Sequence, residues 1–170
     1  MIPMKSLVIL RHAKSSWDSA HLTDFQRPLN ERGVHDAPRI GKALRERGIK
    51  PDLILSSPAE RAKQTVEAVV KAAHLPLIPQ FVDTIYGASL QELLTIIRGL
   101  PDTTDCVLMV GHNPGFEELV SLLTGTERHM STAALAHIVF EEGDWENIGH
   151  KPGELAWFVV PKQLEEQEGR

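Results

Sequence analysis

The chain has few of the residues that would cross-link it or make its surface basic. Its 170 residues include a single cysteine, Cys106, which excludes an intramolecular disulfide and a metal site built from several cysteines. Acidic residues outnumber lysine and arginine by 23 to 18, for a formal net charge of −5. Because no basic stripe offsets this balance, we expect no nucleic acid partner.

Long apolar runs are also missing. The stretch after Lys5 is too short for a signal peptide, so we expect a cytoplasmic protein with no membrane partner. The composition, 42% hydrophobic and 24% charged, is ordinary for a globular protein. At this length we predict one domain over residues 1–170, monomeric by default, with residues from about 162 to 170 as a frayed tail.

Three short apolar runs are each followed by polar residues that could carry chemistry. The runs cover residues 7–10, 53–55 and 107–110. Such runs are typical of strands buried on both faces, and strand and helix patterns alternate along the chain. The sequence therefore predicts an α/β fold, a three-layer α/β/α sandwich with a mostly parallel central sheet.

Two arginines and two histidines would meet at the carboxyl edge of that sheet. Arg11 and His12 follow the first run, Arg61 lies beyond the second, and His112 follows the third. Guanidinium groups bind phosphate oxygens bidentately, and a neutral, fixed imidazole is a competent nucleophile. We therefore expect an oxyanion site that needs no metal and no cofactor.

Two helix starts are predicted beside these residues. Ser57, Pro58 and Glu60 have the spacing of a capping box with proline at the first helical position. Asn113 and Pro114 form a second cap-plus-proline pair. Helix N-termini present free N–H groups to anions, so both would favour an anion site here.

The remaining elements follow from periodicity and turn residues. Helices are predicted over residues 30–47, 58–73 and 114–123, with another starting from a capping box at Ser89. Pro38 should kink or interrupt the first helix, and Gly48 should end it. Two late strands, near residues 136–140 and 155–160, should pair as a hairpin at one side of the sheet.

Several segments resemble the histidine phosphatase superfamily, the phosphoglycerate-mutase-like group. They are LRHAKSSW at residues 10–17, PLNERG at 28–33, SSPAERAKQT at 56–65 and VGHNP at 110–114. The resemblance implies that His12 accepts the phosphoryl group as nucleophile. It also implies that Arg11, Arg61 and His112 form the rest of the phosphate pocket.

Within that superfamily the chain looks most like the SixA-type phosphohistidine phosphatases. Ala13 and Lys14 stand where mutases have Gly-Glu, and only about fifty residues separate Arg61 from His112, too few for a large cap insertion. An open site suits a phosphate displayed on a protein. The resemblance thus implies a metal-independent phosphatase acting on a histidine-phosphorylated carrier or phosphotransfer domain. A broad phosphatase of small phosphate esters and a non-catalytic phosphate-binding module are the alternatives.

The proton donor is open to more than one interpretation. Asp83 lies three positions before the Tyr86-Gly87 pair, the spacing of the acid in mutase-like enzymes, and is our candidate general acid. A turn aspartate is the alternative interpretation. Asp18 and Asp24, in the loop after His12, are further candidates.

Three residues just after the nucleophile are also candidates for contact. Lys14 and Ser15 could bind the phosphate or a partner protein, or could be solvated loop residues. Trp17 could be a platform for substrate, but we favour a hydrophobic plug that closes the loop.

Overall fold

The structure is a computed structural model that describes residues 4–141 and 143–168. In these residues, helices cover one six-stranded sheet. The strands are β1 (Lys5–Arg11), β2 (Leu53–Ser56), β3 (Gln80–Phe81), β4 (Cys106–Gly111), β5 (Leu135–Phe140) and β6 (Glu154–Val159). The helices are α1 (Glu31–Glu46), α2 (Glu60–Ala72), α3 (Leu90–Arg98), α4 (Gly115–Thr124) and α5 (Pro161–Glu168). Short 3-10 helices lie at Asp24–Gln26, Asp83–Ile85 and Trp145–Asn147.

The strand order is β3-β2-β4-β1-β5-β6. The first four strands in this order pair in parallel, and β5 runs antiparallel to both β1 and β6. The mostly parallel sheet and the late hairpin at its side are therefore confirmed. Parallel pairing of β2, β4 and β1 brings the three predicted polar strand ends to one edge.

Both faces of the sheet are buried, as continuous apolar strands require. Along β1, Leu7 and Ile9 pack into the core that contains α3 and α4, while Val8 and Leu10 pack into the core with α1, α2 and α5. Successive strand residues point to opposite faces, so one apolar run serves both cores. The three-layer sandwich is confirmed.

Helix α1 corrects the prediction that Pro38 interrupts it, because the helix runs unbroken from Glu31 to Glu46. Pro38 lies on the exposed face, where water can bind the backbone carbonyl that proline leaves without a donor. The ends agree with the sequence: the Asn30 side chain accepts from the backbone N–H of Gly33, and Gly48 has a positive φ of 70°.

The expected frayed tail is also wrong over most of its length. Residues up to Glu168 form α5, and Leu164 is buried in the core on the α1 side. The Glu165 carboxylate pairs with Nη2 of Arg32 at 2.7 Å. Leu164 is a single buried apolar residue in a charged segment. One such residue gives no helical periodicity, so the sequence did not predict this helix. Residues 169–170 lie outside the described residues.

No helix among the described residues is long and apolar enough to cross a membrane.

Candidate active site

The register of the sheet brings three side chains to one place. Arg11 pairs with Gly111 across β1 and β4, and Ser56 pairs with Val110 across β2 and β4. The residues that follow, His12, His112 and Ser57, therefore leave the sheet side by side. The two histidine rings lie 5.1 Å apart between centroids.

The His12 ring is fixed by a hydrogen bond that it donates to the backbone of the next residue, Ala13. Its Nδ1 lies 2.7 Å from the carbonyl oxygen of Ala13. A carbonyl can only accept, so this contact places the ring proton on Nδ1 and leaves a lone pair on Nε2. The ring is also buried. An oriented imidazole with a free lone pair is suited to attack an electrophile.

Burial lowers the pKa of His12 to about 4. The positive charges of Arg61, Arg11 and Arg27 lower this pKa further, while the hydrogen bond to Ala13 raises it. His12 is therefore neutral at physiological pH, which is the form that a nucleophile requires.

Arg11 and Arg61 each keep a buried Nε–H without a partner among the described residues. Nη1 of Arg11 donates to the carbonyl of Met130 at 2.9 Å, and Nη1 of Arg61 donates to the carbonyl of Asp24 at 2.7 Å. The Nε atoms of both arginines are buried and have no hydrogen-bond partner among the described residues. Buried N–H groups normally have a hydrogen-bond acceptor, and an oxyanion is a suitable acceptor for two guanidinium N–H groups.

His112 is held through Nε2, whereas His12 is held through Nδ1. Nε2 lies 2.7 Å from Oγ of Ser57, and Nδ1 is buried without a partner among the described residues. Oγ of Ser57 already accepts from the backbone N–H of Ala59, so its own proton is free to be donated to Nε2. That arrangement places the His112 proton on Nδ1. Burial lowers the pKa of His112 to about 3, so this ring is neutral as well.

These groups line one small cavity of 270 Å³. Its lining residues are Arg11, His12, Lys14, Ser15, Trp17, Arg27, Arg61, His112, Asn113 and Thr132. The structure thus brings together the four predicted pocket residues and both loop candidates, Lys14 and Ser15. Four of the lining side chains are cationic, and no carboxyl group of the described residues lines the cavity. The cavity is built for an anion.

Sequence reasoning missed Arg27. Its Nη1 donates to Oγ of Ser15 at 2.8 Å, and its Nη2 pairs with Oδ1 of Asp24 at 3.1 Å. The guanidinium lies 3.5 Å from the centre of the Trp17 ring. Arg27 precedes the PLNERG segment by one residue, and its position in a long polar loop gave no strand-end or helix-start pattern that would have identified it.

The two predicted helix caps at the site are wrong. Helix α2 begins at Glu60 with Ala59 as its N-cap, and Ser57 binds His112 instead of capping. Helix α4 has Pro114 as its N-cap. The Asn113 side chain donates to the Glu117 carboxylate and to the carbonyl of Met130. Asn113, predicted as a cap, instead lines the cavity, and Ser57 contacts the lining residue His112.

Comparison with known proteins agrees with this geometry. The profile of the histidine phosphatase superfamily (branch 1) matches residues 7–83. A chloroplastic protein of Arabidopsis thaliana without an assigned function is 32% identical to this chain. The match covers 90% of this chain and 74% of the length of the Arabidopsis protein. The chain belongs to the histidine phosphatase superfamily. This membership supports a phosphatase activity.

Solved structures place this phosphatase among the SixA-type members of the superfamily. The Agrobacterium tumefaciens protein named phosphohistidine phosphatase SixA matches with a TM-score of 0.80 and 30% identity, over 95% of this chain and 100% of its own. The Nakamurella protein of the same name matches with a TM-score of 0.82 and 25% identity, over 93% and 96% of the two chains. As in the sequence-based prediction, no large cap covers the described cavity: the chain between Arg61 and His112 consists of the rest of α2, then β3, a 3-10 helix, α3 and β4 with their connections.

The phosphatase's predicted proton donor is not brought into the cavity. Asp83 is exposed at the start of the 3-10 helix Asp83–Ile85 and is not a lining residue. Asp18 is exposed on the loop and does not line the cavity either. The sequence has Asp83 three positions before Tyr86-Gly87, but in the structure Asp83 lies in a 3-10 helix outside the cavity lining.

Asp24 lies closer to the site, as an ionised hydrogen-bond acceptor. Its Oδ2 accepts from the Tyr86 hydroxyl at 2.6 Å and from Nη2 of Arg61 at 3.0 Å. The Tyr86 hydrogen bond, together with the charge and hydrogen bonds of Arg61 and Arg27, lowers the pKa of Asp24 to about 2. A carboxyl group with such a pKa holds no proton to donate at neutral pH.

Away from the cavity, one group of side chains has the composition of a metal site. His35, Asp36 and Glu165 offer ligand atoms within 4.8 Å of one another. Two arginines already contact these ligand atoms. Arg32 pairs with the carboxylates of Asp36 and Glu165, and Arg39 contacts His35 and Glu165. The cluster is an ion-pair network that ties α5 to α1.

Proposed function

We propose that this phosphatase hydrolyses phosphohistidine on proteins without a metal, by transferring the phosphoryl group to Nε2 of His12 and then to water. His12 supplies the lone pair, while Arg11, Arg61 and His112 donate hydrogen bonds to the phosphoryl oxygens. Lys14, Ser15 and the newly found Arg27 add contacts at the mouth. Charge on the transferred group is the main thing a protein must stabilise in this chemistry, and four cations do so here.

Two displacements at phosphorus complete the proposed reaction. In the first, the bond from phosphorus to the His12 Nε2 forms as the bond to the substrate nitrogen breaks, and the substrate imidazole leaves with the electron pair. In the second, water attacks the phosphoryl group on His12, the new P–N bond breaks, and inorganic phosphate departs. Nε2 of His12 takes back the bonding electron pair while Nδ1 keeps its proton, so His12 returns to its starting state. The proton lost by the attacking water goes to solvent or stays on the phosphate.

The single observation that carries the choice of substrate is the lining of the cavity. No carboxyl group of the described lining residues can protonate a leaving group, Asp83 lies outside, and Asp24 is ionised. An alkoxide released from a phosphate ester needs a proton as it departs. An imidazole whose other ring nitrogen is protonated leaves far more readily, as a neutral ring, because its conjugate acid has an ordinary pKa near 6.5, and it needs no further proton. The site therefore favours a P–N bond over a P–O bond.

A substrate comparison tests this proposal. Wild-type protein, His12→Ala and the control His21→Ala are each incubated with EDTA and a histidine-phosphorylated carrier protein, and separately with phosphoglycerate and a sugar phosphate. His21 is exposed on the same loop and does not line the cavity. We expect rapid loss of the carrier's phosphate with wild type and His21→Ala, slow ester hydrolysis, and no turnover with His12→Ala.

Other results would select the alternatives. Faster hydrolysis of the esters would make the protein a phosphatase of small molecules. Binding of the phosphorylated carrier without turnover would make it a phosphate-binding module. Loss of activity in EDTA would contradict a metal-independent reaction.

A further inference from the structure

Exposed apolar side chains gather on the loop between β1 and α1. Three of the eight large apolar side chains that stay exposed in the described residues lie there: Trp17 at 77%, Leu22 at 39% and Phe25 at 39%. We call these three residues the apolar rim. The exposure of Trp17 also corrects our expectation that it plugs the loop. Large apolar groups concentrated in one exposed segment commonly mark a binding surface.

Trp17 and Phe25 connect the apolar rim to the phosphate cavity. Trp17 lines the cavity and stacks on Arg27. Phe25 packs edge-on against Tyr86 at 5.1 Å between centroids, and Tyr86 packs in the same way against His112 at 5.6 Å. Aromatic rings thus lead from the cavity wall to the surface.

Asp24 fixes the two aromatic parts of the rim relative to each other. Its Oδ1 accepts from Arg27, beneath Trp17, and its Oδ2 accepts from Tyr86, against Phe25. The loop is also tied down at its base, because the carbonyl of Lys14 accepts from the backbone N–H of Asn30. Gly33 allows this close approach, since a Cβ there would lie 2.2 Å from that carbonyl oxygen. The rim is a preformed surface.

The size of the cavity requires most of a protein substrate to lie outside it. A volume of 270 Å³ accepts about one phosphohistidine residue and no more of the protein that carries it. The cationic lining complements the phosphoryl dianion. Whatever surrounds the phosphohistidine on its parent protein must therefore rest on the mouth, where the apolar rim lies.

We propose that the apolar rim is the docking surface for the folded domain that carries the phosphohistidine. This inference rests on the proposed function and assigns its partner contact. The matching surface is an exposed helix with the phosphohistidine on one face and apolar side chains three or four residues away. Helix residues at that spacing are neighbours on the same face, so they meet the rim when the imidazole enters the cavity.

Two substrates of different size separate docking from chemistry. The first is a helical phosphotransfer domain phosphorylated on histidine with phosphoramidate, and the second is phosphoimidazole, which carries the reacting bond alone. The variants are Leu22→Ser, Phe25→Ser and their combination. The matched control is Ile78→Ser, an apolar residue 89% exposed that does not line the cavity. All four changes are uncharged, so the field at the phosphate is preserved.

We expect the double variant to lose about tenfold or more in kcat/KM for the phosphorylated domain, mainly through KM, as expected when interface anchors are removed. Turnover of phosphoimidazole should stay within twofold of wild type, which also shows that the variant is folded. Ile78→Ser should match wild type on both substrates.

Two results would overturn the inference while leaving the proposed function intact: unchanged turnover of the phosphorylated domain, or an equal loss on both substrates. If wild-type protein turns over phosphoimidazole but not the phosphorylated domain, both the docking surface and the protein substrate are wrong. If it turns over neither, the proposed function itself fails and the docking surface fails with it.

Discussion

Asp24 holds Arg61 through two separate hydrogen bonds, one from Nη1 to the Asp24 carbonyl at 2.7 Å and one from Nη2 to Oδ2 at 3.0 Å. These two contacts therefore fix the orientation of the Arg61 guanidinium, which lines the cavity. A loop residue with no direct place in the cavity lining thus determines how an arginine of the site is aimed.

Replacing Asp24 should weaken catalysis through this arginine. In Asp24→Asn the charge is lost, and the amide group that replaces one oxygen turns a donor toward either Arg27 or the Arg61–Tyr86 pair, which are themselves donors. We expect kcat/KM for a histidine-phosphorylated carrier to fall about tenfold, close to the roughly 1.5–3 kcal/mol of one charge-assisted hydrogen bond after allowance for partial exposure. Steady-state kinetics would measure this. Asp18→Asn, on the same loop but outside the cavity lining, is the control, and equal kinetics in the two variants would refute the positioning role.

The contact of Ser57 with His112 should determine the tautomer of that histidine. Without the hydroxyl, as in Ser57→Ala, Nε2 of His112 loses its contact with Ser57, which costs about 1–3 kcal/mol for a buried polar group. We expect a loss of roughly tenfold in turnover and a change in the ¹⁵N shifts of the His112 ring. Ser56→Ala is the matched control, since the Ser56 hydroxyl donates only to the Ser57 carbonyl. Identical ring shifts in wild type and Ser57→Ala would show that Ser57 does not set the tautomer.

Stability should fall as the solution is acidified below the ordinary pKa of histidine. The pKa of His12 is lowered to about 4 in the folded protein, chiefly by burial, so the unfolded chain binds this proton first. The contribution of His12 is complete above pH 6.5 and is lost as the pH falls toward 4. Denaturant unfolding at several pH values should show a shallower decline for His12→Gln than for wild type. A direct NMR titration of His12 with a midpoint near 6.5 would contradict this explanation.

His137 should be a source of instability away from the site. Its ring is buried in β5 against Trp157, burial lowers its pKa, and neither ring nitrogen has a partner among the described residues. Unsatisfied buried polar atoms cost about 1–3 kcal/mol. We expect His137→Phe to raise the free energy of unfolding by about 1 kcal/mol and to leave activity unchanged. A destabilised variant in chemical denaturation would show that the ring makes a polar contact that Phe cannot replace.

The sequence was sufficient for the sheet and for the main cavity residues because both depend on local patterns. Apolar runs identified the strands, and parallel pairing then brought Arg11, His12, Arg61 and His112 to the same edge. The late hairpin followed from two strands separated by turn residues.

The rest of the site depends on contacts between distant residues, which no local pattern records. Arg27 reaches the cavity only because the loop folds back beside β1. The spacing of Ser57, Pro58 and Glu60 predicted a helix cap at Ser57, but the sheet register places Ser57 next to His112. Asp83 kept its spacing to Tyr86, yet the chain turns it outward and leaves Asp24 to bind the Tyr86 hydroxyl.

The most direct measurement is to find the phosphoryl group on the protein during turnover. Wild-type protein is mixed with a histidine-phosphorylated carrier in EDTA, stopped within a fraction of a second in alkali, where phosphohistidine survives, and mapped by mass spectrometry. Our account predicts phosphate on His12 in wild type, and neither a phosphorylated protein nor turnover in His12→Ala. Hydrolysis that continues in His12→Ala, or a phosphoryl group on another residue, would contradict it.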